Sequence, residues 1–143
     1  MTPPAKPSRM TYLLDTCVIS DFIRGEPKVV SKMLSLPPNA IAVSTISRME
    51  VEYGLSLNEE RAKNLRPKIK VFFDSVHLLP FSGEDAVNAA DVRSKLKKAG
   101  LPVGPCDILL AGAALNRDLV FVTSNDKEFQ RVDGLRIENW ISR

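Results

Sequence analysis

Residues Thr11-Tyr12-Leu13-Leu14-Asp15 form a short apolar run that ends in a carboxylate, and a helical segment follows from about Thr16 to Arg24. Gly25 ends that segment, because glycine readily adopts the left-handed conformation found at helix C-termini. The apolar run has the length of a buried strand and is too short for a helix. The start of the chain therefore predicts a strand followed directly by a helix.

The same alternation of strands and helices continues along the chain. Strand-like runs lie at residues 41–43, 76–79 and 119–122, with an edge strand at 136–138. Helical segments lie at 27–36, 45–57, 59–74, 82–99 and 107–116, with a short helical turn at 127–131. We expect Pro67 to break or kink the segment 59–74. Strands separated by helices of this length predict an α/β fold, with a parallel sheet flanked by helices.

The length and composition of the chain suit one domain. Its 143 residues are enough for a single hydrophobic core. Residues 1–10 are rich in proline and lack apolar periodicity, which predicts a disordered tail and leaves residues 11–143 as the domain. No apolar run approaches the roughly 20 residues that span a membrane, and the N-terminus lacks the apolar core of a secretory signal. We expect a cytoplasmic protein with no membrane partner.

The charge and the cysteine content of the chain limit the kinds of binding site that we expect. The formal net charge of +3 includes Lys6 and Arg9 of the tail, so the domain itself is almost neutral. Charge alone would not hold such a domain on nucleic acid. Cys17 and Cys106 lie far apart and form no CxxC motif. The sequence therefore indicates neither a zinc site nor a disulfide framework.

Two carboxylates occupy positions where α/β sheets carry their functional sites. Ligands bind such sheets beyond the carboxyl ends of the strands. Asp15 directly follows the first strand, and Asp107 lies in the first turn of the apolar segment 107–116. Each also has an ordinary structural explanation, because a helix N-terminus favours an acidic cap or an acidic first turn.

Glu50 gives a third signal. At about 100° per residue, its face of the segment 45–57 is shared by apolar side chains: Ile46, Met49, Tyr53 and Leu57. This pattern predicts that Glu50 points towards the interior, whereas Glu52 points outward and pairs with Arg48. A buried carboxylate is costly unless it is compensated, so Glu50 indicates either a cation site or a buried ion pair with arginine.

Asn125 and Asp126 complete the candidate set, because they follow the strand at 119–122. Both offer oxygen ligands and both are common turn residues, so the pattern leaves open which of them faces the site. Clustered hard oxygen ligands without histidine or cysteine favour Mg²⁺ or Mn²⁺ over zinc. A site of this kind suits metal-assisted hydrolysis of phosphodiester bonds.

These residues stand in ordered motifs that resemble those of the PIN-domain VapC-type toxins. The motifs are Leu13-Leu14-Asp15-Thr16, Met49-Glu50-Val51-Glu52-Tyr53-Gly54, Gly104-Pro105-Cys106-Asp107 with Leu110-Ala111, and Val122-Thr123-Ser124-Asn125 with Phe129 and Gly134-Leu135 beyond it. The resemblance extends over nearly the whole chain after the tail. It implies a PIN-like fold and a metal-dependent endoribonuclease, the toxin of a toxin–antitoxin pair, which uses Mg²⁺ or Mn²⁺ and cleaves structured RNA. It also implies a cognate VapB-type antitoxin as partner, and a homodimer.

The resemblance places the acidic positions of the family on Asp15, Glu50 and Asp107. A fourth position, often Asp and sometimes Asn, falls on Asn125. A neutral amide there would hold a divalent cation less strongly, and Asp126, one residue out of register, could compensate. Thr123 would help to position a water molecule or ligand at the strand end.

Three points remain open at the level of sequence. A non-catalytic PIN-like module that binds RNA or protein would share the fold, and a deoxyribonuclease would share the metal chemistry. The apolar side chains of residues 17–36 exceed what one core needs, and the surplus could form a groove for an antitoxin helix. Two basic clusters, at residues 63–70 and 93–98, are either solvated helix faces or contacts to an RNA backbone.

Overall fold

Five parallel strands form the centre of the structure, a computed structural model that describes residues 10–141. The strands are β1 (Tyr12–Leu14), β2 (Ile41–Ser44), β3 (His77–Leu79), β4 (Val120–Val122) and β5 (Ile137–Glu138). They are ordered β3-β2-β1-β4-β5, and every neighbouring pair is parallel. Each connection therefore crosses over the sheet, as parallel pairing requires.

Seven helices connect these strands: α1 (Thr16–Arg24), α2 (Pro27–Leu34), α3 (Thr45–Ser56), α4 (Glu59–Ser75), α5 (Gly83–Ala99), α6 (Pro105–Arg117) and α7 (Asp126–Phe129). A 3-10 turn, Pro38–Ala40, precedes β2. The predicted α/β fold with a parallel sheet flanked by helices is confirmed. Of the two effects expected at Pro67, a break or a kink, the break is wrong, because α4 continues through the proline. Its buried Ile69, Phe72 and Phe73 anchor the helix after the proline, and packing of this kind outweighs one lost hydrogen bond.

A hydrophobic core lies on each face of the sheet. Leu13 and Leu14 are both fully buried and point to opposite faces, since side chains alternate along a strand. Leu14 packs with apolar residues of α1, α2 and α4. Leu13 packs with apolar residues of α5, α6 and α7. The continuous apolar character of β1 thus reflects its position in the middle of a sheet that is covered on both sides.

The order of the strands creates a crevice beside β1. The chain leaves β1 towards β2 and β3 on one side and returns to β4 and β5 on the other. This reversal of direction is the point at which open α/β sheets bind ligands, at the carboxyl ends of the strands. Asp15 follows β1 there and Thr123 follows β4, and the Asp15 amide donates a hydrogen bond to the Val122 carbonyl at 2.8 Å.

The two ends of the described chain pack on the domain. Tyr12 and Trp140 meet edge to face with 5.5 Å between their ring centroids, which ties the C-terminal segment to β1. Met10 packs against the core on the α5–α6 face. The rest of the predicted tail, residues 1–9, lies outside the described residues. Between residues 10 and 141, none of the helices is both long and apolar enough to cross a membrane.

Candidate functional site

Asp15 lies at the base of the crevice, between β1 and α1. It caps α1, and its Oδ1 accepts a hydrogen bond from the Thr16 amide at 2.8 Å. Its Oδ2 accepts a hydrogen bond from the Thr123 hydroxyl at 2.7 Å. Thr123 is itself fully buried at the end of β4, so a residue of the neighbouring strand fixes the orientation of this carboxylate. Burial raises the pKa of Asp15, and these hydrogen bonds only partly oppose that shift.

Glu50 reaches the same crevice from α3. Its Oε1 lies 2.6 Å from the Thr16 hydroxyl, so α1 and α3 meet at this contact. The prediction that Glu50 lies on an inward-facing apolar stripe is wrong. Met49, Tyr53 and Leu57 are 51%, 63% and 69% exposed. The buried residues of α3 are Ser47 and Leu55, so the helix is rotated from the predicted phase and Glu50 lies, partly buried, beside the packed face.

Asp107 enters the site from the first turn of α6. Burial and the charge of Asp15 are the main reasons why the pKa of Asp107 rises to about 7, and Glu128 and Glu50 raise it further. The charges of Glu50 and Asp107 also raise the pKa of the Cys106 thiol, after burial. The structure therefore brings together the three predicted acids Asp15, Glu50 and Asp107, which come from three different elements.

Glu128 is a fourth acid in the site, and the sequence analysis missed it. It lies on α7 and shares a hydrogen bond with Asp107. Its Oε1 accepts a hydrogen bond from the Gly104 amide at 3.2 Å, and its Oε2 accepts one from the Asn125 amide nitrogen at 2.6 Å. Burial acts to raise the pKa of Glu128, but these hydrogen bonds outweigh it and hold the pKa below its usual value. Its position three residues after Asn125, in the first turn of the helix that follows β4, was the available signal.

The structure separates the two candidates that follow β4. Asn125 is in the crevice, where its side chain donates to Glu128 and its backbone amide donates to the Thr123 hydroxyl at 3.0 Å. Asp126 is turned away: its Oδ1 accepts a hydrogen bond from the Asn139 side chain at 3.4 Å. Asp126 is also absent from the charges that shift the pKa of Asp107.

The electrostatics of the crevice suit a divalent cation. All the charges that act on Asp107 are carboxylates, and each of them raises its pKa. A hard cation with oxygen ligands would relieve that repulsion, so the donor set fits Mg²⁺ or Mn²⁺. In the described part of the chain, no three His, Cys, Asp or Glu side chains already form a group that could hold a metal ion. Binding would therefore require at least one further carboxylate to move closer to the others.

The family model of the PIN domain matches residues 12–135, which is most of the chain. The chain belongs to the PIN-domain family. Among its PIN-domain relatives is the tRNA(fMet)-specific endonuclease VapC of Shigella flexneri, with 33% identity over 131 residues, 92% of this chain and 98% of the relative. The corresponding VapC of Salmonella typhimurium is 32% identical over the same share of both chains. This degree of similarity identifies the chain as a VapC-type PIN domain.

Solved structures of PIN-domain proteins agree with the fold. The VapBC2 complex of Rickettsia felis bound to a DNA fragment from its promoter matches with a TM-score of 0.84 and 31% identity, covering 92% of this chain and 99% of that one. The DNA-bound VapBC of Salmonella typhimurium matches with a TM-score of 0.84 and 32% identity, covering 92% and 98%.

Proposed function

We propose that this protein is a metal-dependent endoribonuclease and acts as the toxin of a toxin–antitoxin pair. The observation that carries the proposal is the group of acids at the carboxyl edge of β1 and β4, where burial and the neighbouring carboxylates raise the pKa of Asp107 to about 7. A folded protein tolerates such repulsion at a functional site, where a ligand compensates it. The name of the Shigella flexneri relative, a tRNA-specific endonuclease, supports RNA as the substrate.

The proposed ligands of Mg²⁺ or Mn²⁺ are Asp15, Glu50, Asp107 and Glu128. When bound, the ion supplies an activated water and neutralises charge on the phosphodiester oxygens. Asn125 belongs to the catalytic set as a positioning residue, because its side-chain amide holds Glu128. Asp126 stays outside the set, since its carboxylate contacts Asn139.

The buried residue Thr123 contacts this set of residues through hydrogen bonds at the end of β4. Its hydroxyl donates to Asp15 and accepts from the Asn125 backbone, so it links the first strand to the turn after β4. Because Thr123 carries no charge, its part is to fix the direction of the Asp15 carboxylate. A carboxylate held in one orientation loses less freedom when it binds an ion or positions a water molecule.

The proposed protein partner is a VapB-type antitoxin, since the similar solved structures are VapBC complexes. A groove of about 380 Å³ between α1, α3 and α4 opens beside Thr16 and Glu50. Its floor is apolar, with Ile19 and Ile23 from the segment predicted to offer an antitoxin surface. Arg24 and Arg61 lie at the groove as well. An apolar segment with acidic neighbours would fit this combination and would cover the entrance to the acids.

Replacement of a groove residue tests the antitoxin proposal. Leu57→Glu replaces an exposed residue that lines the groove with a charge and should weaken complex formation with the co-expressed antitoxin, whereas Lys68→Glu on the exposed face of α4 should leave it intact. Equal recovery of both complexes would contradict the use of this groove. We also propose a cytoplasmic homodimer, which sedimentation equilibrium and cell fractionation would test.

Cleavage assays test the nuclease itself. The purified protein, freed of antitoxin, is incubated with total RNA and with a single-stranded DNA of matched length, with Mg²⁺, Mn²⁺ or EDTA. We expect discrete RNA fragments from the wild type with metal and none with EDTA. Asp15→Asn and Asp107→Asn should abolish cleavage, whereas Asp91→Asn, the same change in an exposed ion pair on α5, should not.

The same assays separate the remaining alternatives. Cleavage of the DNA alone would identify a deoxyribonuclease. Intact nucleic acid under all conditions, together with retained binding to RNA, would identify a non-catalytic module. Full cleavage by both Asp15→Asn and Asp107→Asn would show that these acids are not the active site.

A further inference from the structure

A chain of two hydroxyl groups connects the interior of the domain to Glu50. Ser47 on α3 is fully buried, and its Oγ lies 2.9 Å from the Thr16 Oγ1. The Thr16 Oγ1 in turn lies 2.6 Å from the Glu50 Oε1. Thr16 opens α1, whereas Ser47 and Glu50 are one helical turn apart on α3. The contact therefore spans two helices.

The direction of these hydrogen bonds follows from the number of protons available. A hydroxyl group donates one proton, and an ionised carboxylate can only accept. The short contact to the carboxylate takes the Thr16 proton, so Thr16 must accept at its other contact. Ser47 then donates to Thr16. A hydroxyl that accepts one hydrogen bond becomes a stronger donor in the next, so Ser47 strengthens the hold of Thr16 on Glu50.

Thr16 also contacts the second carboxylate of the site. Its backbone amide donates to the Asp15 Oδ1 at 2.8 Å, while its side chain donates to Glu50. One residue thus fixes two acids that belong to different elements. Within residues 10–141, Thr16 is the hydrogen-bond partner of the Glu50 carboxylate. Without its hydroxyl, a partly exposed glutamate at the edge of α3 would be free to rotate into solvent.

We propose that Thr16, oriented by the buried Ser47, is the positioning residue that holds Glu50 towards Asp15, so that both carboxylates can bind one divalent cation. This inference rests on the proposed function. The hydroxyl pair does not touch the substrate or the reacting atoms. Its effect is to keep the ligands ready in the metal-free protein, so that less side-chain freedom is lost when the ion binds.

Matched substitutions test the role of the hydroxyl groups. Thr16→Val keeps the shape of the side chain and the backbone contact to Asp15 but removes the hydroxyl group. Thr16→Ser keeps the hydroxyl group. Ser47→Ala removes the donor behind it, and Ser56→Ala on the same helix is the control, because the exposed Ser56 only contacts the Tyr53 carbonyl of its own turn.

The first readout is Mn²⁺ affinity of the metal-free protein, measured by titration calorimetry without RNA. The second is kcat and KM for RNA cleavage at saturating Mn²⁺. Partners of metal ligands typically contribute about 10- to 100-fold to affinity or activity. We expect Thr16→Val to lose Mn²⁺ affinity by about that factor and, at saturating Mn²⁺, to keep most of the wild-type kcat and KM, because the hydroxyl group acts before the ion binds. The Mn²⁺ affinity of Thr16→Ser should lie within about threefold of the wild-type value. The Mn²⁺ affinity of Ser56→Ala should equal that of the wild type.

A double substitution distinguishes a relay from two separate structural roles. If Ser47 acts through Thr16, Ser47→Ala added to Thr16→Val should cause no further loss of Mn²⁺ affinity. Losses that multiply in full would overturn the relay. Wild-type Mn²⁺ affinity in Thr16→Val, or a Thr16→Ser variant as weak as Thr16→Val, would overturn the role of the hydroxyl group.

Glu50→Gln separates failure of this inference from failure of the proposed function. If Glu50→Gln weakens Mn²⁺ binding and Thr16→Val does not, the metal site stands and the positioning role is wrong. If Glu50→Gln binds Mn²⁺ as tightly as the wild type, Glu50 is not a ligand, and the proposed ligand set fails together with the inference.

Discussion

Binding of a divalent cation should release a proton from Asp107. Burial, together with Asp15 and Glu128, raises the pKa of Asp107 to about 7 in the metal-free protein. A carboxyl group with that pKa is protonated in roughly nine molecules of ten at pH 6 and in roughly one of ten at pH 8. The proton must leave before the carboxylate binds the ion. The apparent affinity for Mn²⁺ should therefore fall about tenfold between pH 8 and pH 6.

The same pKa fixes the sign of a stability change in the metal-free protein. The unfolded chain has the ordinary aspartate pKa of 3.8, so between about pH 4 and pH 7 the folded state keeps a proton that the unfolded state has lost. The contribution of Asp107 to the free energy of unfolding is therefore full below pH 4 and is lost as the pH rises through 7. The difference between wild type and Asp107→Asn isolates this contribution from those of other groups.

Calorimetry in two buffers with different ionisation enthalpies measures the proton release directly. At pH 6 we expect about one proton per Mn²⁺ bound, and at pH 8 almost none. Glu128→Gln should reduce the release at pH 7, because it removes one of the charges that raise the pKa of Asp107. Equal affinity at pH 6 and pH 8, without proton release at pH 6, would refute the account of the site as a group of repelling acids.

Three further substitutions test other parts of the structure. Asp85→Ala removes the buried partner of Arg117 and one half of the α5 capping box, and should lower the free energy of unfolding by about 3 kcal/mol in urea titrations. That loss should shrink below about pH 4, because hydrogen bonds hold the pKa of Asp85 below 3.8 despite its burial. Gly112→Ala would bring a methyl group within 2.6 Å of the α5 backbone and should cost about 1–3 kcal/mol in thermal unfolding. Asn125→Asp should raise Mn²⁺ affinity at pH 8, because a fifth carboxylate beside Glu128 adds to the repulsion that a bound cation relieves. A loss of affinity at pH 8 would contradict this account of the site.

Local sequence patterns were sufficient to predict the fold class. The segments β1 and β4 lie in a sheet that is covered on both faces, so each is an uninterrupted apolar run that predicts a strand. Gly25 and Gly100 end α1 and α5 in left-handed conformations, as expected. The order of the strands was not predictable in this way. β4 pairs with β1 although more than a hundred residues separate them. Such pairing depends on how α5 and α6 pack, and the sequence of a single segment does not predict that packing.

Glu50 was assigned to the site by an argument that the structure overturns. Its apolar neighbours at helical spacing indicated a buried face, but Met49 and Tyr53 are exposed. The rotation of α3 is set by Ser47 and Leu55, which pack against the domain, and a buried serine carries no apolar signal. The hydroxyl of Ser47 is tolerated there because Thr16 satisfies it. The periodic pattern thus predicted the position of the helix correctly, but the predicted rotation of the helix about its axis was wrong.

The missed acid shows how charge is distributed in this site. Sequence reasoning treated Asn125 as a neutral substitute for a fourth acid and looked for compensation at the adjacent Asp126. The compensation comes instead from Glu128, because residues three apart on a helix lie on the same side, whereas adjacent residues diverge by about 100°. Asn125 then has a use that an aspartate could not fill, since its amide donates to the carboxylate of Glu128. The number of carboxylates facing the crevice is therefore maintained, although the position of the fourth has moved by one helical turn.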